Sequence, residues 1–320
     1  MVINNTNIKN NINIDLSIKI GKLKLQNPII AASGTFGYAD EYEDYINLKN
    51  IGAIITKGIS LKPRKGNPQP RLQEVQSGLI NCIGLENIGI DSFIKNKIPI
   101  LINKNIKYIV NIAGFTIDEY FELASICESN NIQAIEVNVS CPNVKTGCLE
   151  FGTDQEILYT IISKIREVYN HTLIVKLTPN VTNPIPLALK IQQAGADAIS
   201  AINTVKGMAI KTQFKDNKLT FSKIKGGLSG PAIKPIALNY INTIKEYINI
   251  PIIGMGGIYN INDTLEFFAA GSQAIQIGTA NFTYPDITEK ITNDLKKILI
   301  QNNQKSFEGF IKGVNNANIN

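Results

Sequence analysis

The sequence has a single histidine, His171, no tryptophan, and four cysteines that form no C-x-x-C pair. A zinc site built from cysteine and histidine is therefore not expected, because such sites use closely spaced ligand pairs. A Cys-His or Ser-His-Asp mechanism would have to use His171. We accordingly expect no metal site on this chain.

Long apolar runs are also missing. The chain has no stretch of about 18 apolar residues, and its N-terminus lacks a basic segment followed by an apolar one. We therefore expect a cytoplasmic protein without a membrane anchor and with reduced thiols. The 32 lysines and arginines exceed the 26 acidic residues, but they are scattered. This argues against nucleic-acid binding and indicates at most a weak attraction for anionic small molecules.

The apolar segments predict a parallel barrel. Eight short apolar runs have the pattern of strands buried on both faces, with helical segments between most of them. The runs cover residues 28–32, 53–56, 108–112, 134–139, 173–177, 198–202, 251–254 and 274–277. We therefore predict a (β/α)8 TIM barrel with an N-terminal hairpin and two long βα-loop insertions, 59–105 and 205–231. A doubly wound sheet is disfavoured, because no G-x-G-x-x-G follows the first strand.

We expect one domain, residues 15–302. A chain of 320 residues with 44% hydrophobic content can bury a large core. The Asn-rich residues 1–14 are predicted to be a loose N-terminal tail, and residues 303–320 a C-terminal tail.

The segment N-V-S-C-P-N at residues 138–143 ends the fourth predicted strand. Pro142 cannot donate to a sheet, so the strand must end before it. Cys141 then lies where a strand opens into a loop, between Asn138 and Asn143. A thiol there is either a packed apolar group or a reactive one. The two carboxamides favour the reactive interpretation, because an apolar packing site has no use for them.

Small residues follow the last two predicted strands. These are Gly256 with Gly257, and Gly278 with Thr279. In barrels of this kind the site lies at the carboxyl ends of the strands, often with a phosphate after the last two. Backbone N–H groups can approach an anion closely where no Cβ intervenes. Two such pairs on adjacent strands therefore indicate phosphate binding, although glycine turns are common.

Two lysines stand at other strand ends. Lys176 lies within a buried strand, where a lysine is costly unless it meets an anion. The alternative is that its head reaches solvent at the strand end. Lys57 is closer to a loop and is ambiguous by itself. The carboxamides at the predicted rim could bind a planar, uncharged, imide-like ring through paired donors and acceptors; they are Asn81, Asn138, Asn143 and Asn203.

From about residue 16 to residue 299 the sequence resembles the class 1 dihydroorotate dehydrogenases, flavin enzymes of pyrimidine synthesis. The resemblance depends on several long motifs in the same order. They are N-V-S-C-P-N at 138–143 with F-G-T-D at 151–154, N-C-I-G-L-E-N at 81–87, G-G-L-S-G-P at 226–231 and I-G-M-G-G at 253–257.

The resemblance implies one FMN at the barrel mouth, with Cys141 as the general base. The base takes the C5 proton of (S)-dihydroorotate while the C6 hydride goes to flavin N5. The implied FMN-binding residues are Ser33, Lys57, Gly58, Asn111, Asn138, Lys176, Ile202, Gly230, Gly256, Gly257, Gly278 and Thr279. Those implied for orotate or dihydroorotate are Lys57, Asn81, Cys82, Ile83, Gly84, Leu85, Asn138, Asn143, Asn203 and Thr204.

Within class 1, the motifs at 81–87 and 145–147 resemble the NAD-linked type 1B. The resemblance then implies a homodimer within a heterotetramer, whose second subunit carries FAD and a 2Fe-2S cluster. Three alternatives stay open. They are the fumarate-dependent type 1A enzyme without a partner, an FMN barrel acting on a uracil ring in RNA, and a non-catalytic flavin-binding barrel.

Overall fold

The computed structural model describes residues 14–139, 151–215 and 218–316. Cys141 and Asn143 lie outside these ranges. The strands, in chain order, are β1 (Ile18–Ile20), β2 (Leu23–Leu25), β3 (Ile29–Ala31), β4 (Ala53–Ile55), β5 (Leu72–Val75), β6 (Gly78–Asn81), β7 (Tyr108–Ile112), β8 (Ala134–Asn138), β9 (Thr172–Lys176), β10 (Ala198–Ala201), β11 (Val205–Lys215), β12 (Lys218–Ser229), β13 (Ile252–Met255) and β14 (Ala274–Ile277).

The helices flank the barrel strands. They are α1 (Ile90–Asn96), α2 (Ile98–Asn103), α3 (Ile117–Ser129), α4 (Gln155–Val168), α5 (Ile185–Gln193), α6 (Lys234–Lys245), α7 (Ile261–Ala270), α8 (Ala280–Thr283), α9 (Ile287–Gln301) and α10 (Phe307–Asn316). No helix in the described part of the chain is long and apolar enough to cross a membrane.

Eight parallel strands close into a barrel, which confirms the predicted fold. They follow one another around it in chain order as β3, β4, β7, β8, β9, β10, β13 and β14, and β14 pairs with β3. Because side chains alternate along a strand, each strand buries one face inside the barrel and the other under the helices. In β8, Ile135 and Val137 pack in the core shared with the helices, whereas Ala134 belongs to the barrel interior.

The barrel interior changes from apolar to polar along its axis. Near the amino ends of the strands it is filled by aliphatic side chains such as Ala134, Ile174 and Ile253. The β1–β2 hairpin packs into the same cluster and is tied to it by Thr172, whose Oγ accepts from the main-chain N–H of Leu23 at 2.9 Å. This hairpin closes the amino end, so the cavity can open only at the carboxyl end.

A second, antiparallel sheet stands beside the barrel mouth in the order β11, β12, β6, β5. It is built from the two long insertions. β12 joins them through pairs such as Gly227 with Asn81. The sequence indicated little regular structure for residues 59–105, whereas this segment contains β5, β6, α1 and α2. Its strands are short and only half buried, so their apolar pattern is weak.

The sequence predicts that Asp154 and Asp263 each cap a helix, because a carboxylate can accept from the free N–H groups of a first turn. Asp154 does cap α4, since its side chain accepts from the N–H groups of Glu156 and Ile157. The prediction for Asp263 is wrong. Asn260 caps α7 by accepting from the N–H of Asp263 at 3.0 Å. Asp263 instead accepts from Lys234 Nζ at 2.7 Å, and this tertiary contact is invisible in the sequence.

Part of the predicted C-terminal tail is structured. Residues 307–316 form α10, and the Phe307 side chain is 2% exposed with its ring 5.0 Å from that of Phe268. An apolar ring buried against α7 ties this helix to the core. The single-domain assignment of residues 15–302 stays a prediction.

The Phe307→Ala substitution is expected to lower the free energy of unfolding by about 3 kcal/mol. This is the lower end of the range for buried Phe→Ala changes, because a terminal helix can undock locally. The midpoint of urea unfolding measures the effect. Phe214→Ala is the matched control, because this ring is 82% exposed and its loss should cost less than about 0.5 kcal/mol. Equal midpoints for both variants would contradict the packing of α10.

Candidate active site

A cavity of about 280 Å³ opens at the carboxyl ends of the barrel strands. Its walls come from both sheets. The barrel contributes strand-end residues such as Asn138 and Lys176, and the antiparallel sheet contributes Leu79, Asn81 and Ser229. The two insertions therefore form one side of the cavity, and the barrel forms its floor.

Glycines line one end of the cavity. Gly230, Gly256 and Gly257 have φ values of +99°, +125° and +79°, a region that favours glycine. A Cβ at Gly257 would lie 2.9 Å from the carbonyl oxygen of Gly230, so the two loops approach closely. At Gly278 a Cβ would meet nothing closer than 3.7 Å within the described chain. Crowding inside the protein therefore does not explain Gly278, whereas the close approach of a ligand would.

Lys57 follows β4 at the cavity wall. Its Nζ lies 6.0 Å from the centroid of the Tyr38 ring. Burial raises the pKa of Tyr38, so this phenol is neutral near pH 7 and offers no counter-charge. Among the described residues no carboxylate forms an ion pair with Lys57. This cation is therefore suited to an anionic group of a ligand.

Lys176 is buried and does not reach solvent; it is 6% exposed. Its Nζ lies 3.8 Å from Oε1 of Glu136, which is fully buried on the neighbouring strand β8. The sequence argument required an anion near Lys176, and the barrel itself supplies one. The burial of Lys176 therefore does not by itself require an anionic ligand.

Glu136 is the centre of a hydrogen-bonded cluster below the cavity. Its Oε1 accepts from Asn111 Nδ2, and its Oε2 accepts from Ser200 Oγ and Gln276 Nε2, each at 2.7 Å. Asn111 Oδ1 and Gln276 Oε1 are buried and have no hydrogen-bond partner among the described residues. Buried amide oxygens are normally paired, so these two atoms indicate a missing donor.

Carboxamides and a phenol stand above this cluster. Tyr120 Oη donates to the main-chain oxygen of Asn138 at 2.8 Å, which fixes the end of β8. Asn203 Nδ2 lies 3.4 Å from Asn138 Oδ1, and Asn81 Nδ2 donates to the carbonyl oxygen of Gly227 at 3.1 Å. Thr279 Oγ1 is 2.8 Å from Ser229 Oγ near the glycines. The site thus combines amides, hydroxyls and two lysines around a partly apolar cavity.

Comparison with known proteins gives the family. The dihydroorotate dehydrogenase family model matches residues 15–299. This chain belongs to the dihydroorotate dehydrogenase family. The family predicted from the motifs is thereby confirmed, and the match contains the whole barrel.

Two relatives illustrate the similarity within the dihydroorotate dehydrogenase family. A protein of Geobacter metallireducens is 47% identical over 289 residues, which cover 90% of this chain and 94% of the relative. A protein of Caldicellulosiruptor saccharolyticus is 48% identical over 306 residues, covering 96% of this chain and all of the relative. Both are named dihydroorotate dehydrogenase B (NAD(+)), catalytic subunit.

In this member of the dihydroorotate dehydrogenase family, one cavity brings together most of the residues that the motifs predicted for the site. It is lined by Ser33, Lys57, Gly58, Asn81, Ile83, Gly84, Leu85, Asn138, Lys176, Ile202, Asn203, Thr204, Gly230, Gly256, Gly257, Gly278 and Thr279. Their individual roles stay predictions. The same holds for Cys141 and Asn143, which lie outside the described residues.

Two predicted residues are placed differently. Asn111 does not line the cavity, but a Cβ at Gly58 would lie 3.0 Å from its Oδ1, so this oxygen is just behind the wall. Cys82 packs with Ile80 and Leu228 in the small core of the antiparallel sheet. The alternation of side chains along an extended segment explains this: Asn81 points to the cavity, so the next residue, Cys82, points to the opposite face of the antiparallel sheet.

Sequence reasoning missed Glu136 and Gln276. Both lie in apolar runs that were interpreted as buried strands. The argument applied to Lys176 would have found them, because a charge or amide inside a buried strand needs a partner. Tyr120 and Ser229 were also missed: Tyr120 carries no distinctive local signal, whereas Ser229 lies in the G-G-L-S-G-P motif at 226–231 and was given no role there.

Proposed function

We propose that this chain is the catalytic subunit of an NAD-linked dihydroorotate dehydrogenase, which oxidises (S)-dihydroorotate to orotate in pyrimidine biosynthesis. The observation that supports this most strongly is the cavity at the barrel mouth, because the motif residues of distant chain segments converge there. The names of the relatives support the NAD-linked subclass. The activity is an oxidoreduction of a CH–CH bond.

The cavity suits FMN as the cofactor. The glycines around Gly257 and Gly278 would hold the phosphate, because backbone N–H groups are accessible where no side chain intervenes. Gln276 lines the cavity, and its oxygen, which has no partner among the described residues, would accept from a ring N–H; Lys176 is a cation for the ring's polar edge. FMN, when bound, supplies the acceptor for the hydride that leaves C6 of dihydroorotate.

Dihydroorotate carries a carboxylate on a dihydropyrimidine ring that contains an imide group. Lys57 is suited to the carboxylate, since no carboxylate of the described chain neutralises it. Asn81, Asn138 and Asn203 carry the donors and acceptors that an imide needs. Cys141 would take the C5 proton as the thiolate, because a thiol is a serviceable base near neutral pH.

Electrons must then leave for NAD through a second subunit. In the described chain no group of three or more His, Cys, Asp or Glu side chains could hold a metal ion. We propose that the 2Fe-2S cluster and FAD belong to a partner protein, which the word "subunit" in the relatives' names supports. The assembly proposed is a heterotetramer built on a homodimer of this chain in the cytoplasm.

The purified yellow protein, mixed with dihydroorotate without oxygen, is expected to lose its flavin absorbance near 450 nm. Fumarate added to this chain alone should not restore the colour, whereas NAD together with the partner subunit should. Reoxidation by fumarate would favour the partner-free type 1A enzyme. A flavin that dihydroorotate cannot bleach would refute the proposed activity and favour a non-catalytic flavin-binding barrel.

A further inference from the structure

The cluster around Glu136 joins side chains from five of the eight barrel strands. Asn111 comes from β7, Glu136 from β8, Lys176 from β9, Ser200 from β10 and Gln276 from β14. Each of these residues is at least nine-tenths buried, and Glu136 is fully buried. Glu136 does not line the cavity, whereas Lys176 and Gln276 do. Any effect of Glu136 on a bound ligand must therefore pass through its neighbours or through its charge.

The carboxylate decides how the two amides are turned. An ionised carboxylate only accepts hydrogen bonds, so Asn111 and Gln276 must direct their NH2 groups towards Glu136. Their oxygens then point the other way, and both are buried with no partner in the part of the chain that the structure describes. Gln276 lines the cavity, and Asn111 Oδ1 lies behind the wall at Gly58. Glu136 thus leaves the Gln276 oxygen as an acceptor at the cavity and holds the Asn111 oxygen just behind the cavity wall.

The charge of Glu136 also acts on Lys176. The ammonium and the carboxylate are 3.8 Å apart, and both side chains are more than nine-tenths buried. A lysine alone below the cavity would strongly favour any ligand state that gains negative charge. The nearby carboxylate of Glu136 offsets this positive field, so the two side chains together contribute a net charge close to zero at the floor of the cavity.

We propose that Glu136 is a positioning residue for the flavin site, which orients the amides of Asn111 and Gln276 and offsets the charge of Lys176. The inference rests on the proposed binding of FMN. It concerns how firmly the site holds electrons, because reduced flavin carries more negative charge than oxidised flavin. A lysine without a counter-charge at the floor of the cavity would stabilise the reduced flavin and so retain its electrons. The ion pair of Lys176 with Glu136 weakens this stabilisation, so the electrons can pass on to the acceptor.

The Glu136→Gln variant removes the charge and nearly keeps the size of the side chain; its NH2 group also faces the amides, so Glu136→Asp is needed to separate charge from orientation. The midpoint potential of the bound flavin, measured by equilibration with a redox dye, is expected to rise. We expect at least a tenfold stronger preference for the reduced state, which for a two-electron couple is about 30 mV. A purely structural role of Glu136 would lower the thermal midpoint without moving this potential. Glu167→Gln, at an exposed position of α4, is the matched control.

The Glu136→Asp variant tests whether Glu136 positions the two amides, and it can be measured even if the glutamine variant does not fold. It keeps the charge but withdraws the carboxylate by one methylene, so the amides lose their fixed orientation. We expect the preference for the reduced state to change less than about twofold, which is about 10 mV for a two-electron couple, and the FMN dissociation constant to rise at least about tenfold. An aspartate variant that binds FMN as tightly as the wild type would contradict the positioning role.

The outcomes separate the two proposals. If the wild-type protein holds no FMN, or if dihydroorotate cannot bleach its FMN, the proposed function is overturned and this inference with it. If dihydroorotate bleaches the flavin of the wild type but the flavin of Glu136→Gln has an unchanged midpoint potential, only the inference is overturned.

Discussion

The Cys141→Ala variant is expected to bind FMN normally but to lose its absorbance with dihydroorotate at least about 10²-fold more slowly than the wild type. The reason is that alanine cannot take the C5 proton, and general bases contribute about 10²–10⁴-fold. The absorbance is followed by stopped flow without oxygen, and flavin content is measured separately. The assignment of Cys141 depends on the N-V-S-C-P-N motif, since the residue lies outside the described part of the structure.

Cys127→Ala is the matched control for this experiment. Cys127 is fully buried in α3, and burial raises the pKa of its thiol to about 12, so it is not a base near neutral pH. We expect this variant to lose some stability but to keep the wild-type rate of flavin reduction. A near-normal rate in the Cys141 variant would exclude Cys141 as the base.

The Lys176→Ala variant is expected to lose both flavin and stability. Removal of the ammonium leaves Glu136 as an uncompensated charge in the barrel, and breaking a buried ion pair costs about 3–5 kcal/mol. The cation that would offset negative charge on the reduced flavin is also lost. We expect a sub-stoichiometric flavin content and a midpoint potential lower than that of the wild type. Absorbance per chain, dye equilibration and urea unfolding measure the three effects.

A double variant separates these causes. Lys176→Met combined with Glu136→Gln removes both charges with little change in volume, so the buried carboxylate no longer destabilises the barrel. We expect stability close to that of the wild type and better than that of Lys176→Met alone. The double-mutant cycle gives the coupling between the two side chains directly. A coupling near zero would show that the 3.8 Å contact contributes nothing to stability.

The barrel was predictable because its signals are local. Each barrel strand is a short apolar run, and parallel strands buried on both faces have this pattern wherever they occur. Their carboxyl ends must meet at one rim, so polar residues there could be assigned to one site before any coordinates existed. The insertions were harder, since β5, β6 and the long β11–β12 hairpin are partly exposed and lack a continuous apolar pattern.

Contacts between distant segments were not predictable. Asn260 caps α7, whereas Asp263 lies inside this helix and its carboxylate accepts from Lys234 of another helix. Residues 303–320 have the composition of a tail, and only the packing of Phe307 on Phe268 shows where α10 lies. Cys82 and Asn81 are neighbours in a motif, yet strand alternation separates them onto two faces.

The sequence by itself determined the barrel, the family and the group of residues at its mouth, because strand pattern and motifs are written in consecutive residues. The tertiary structure decided the charge balance below the cavity. Glu136 and Lys176 are 40 positions apart in the sequence. They meet because β8 and β9 pair in a register that puts Asn138 beside Lys176. Glu136 is two residues before Asn138 and therefore on the same face of β8, so its side chain and that of Lys176 both point into the barrel. Register and barrel closure arise from the packing of the whole chain, and no single segment encodes them.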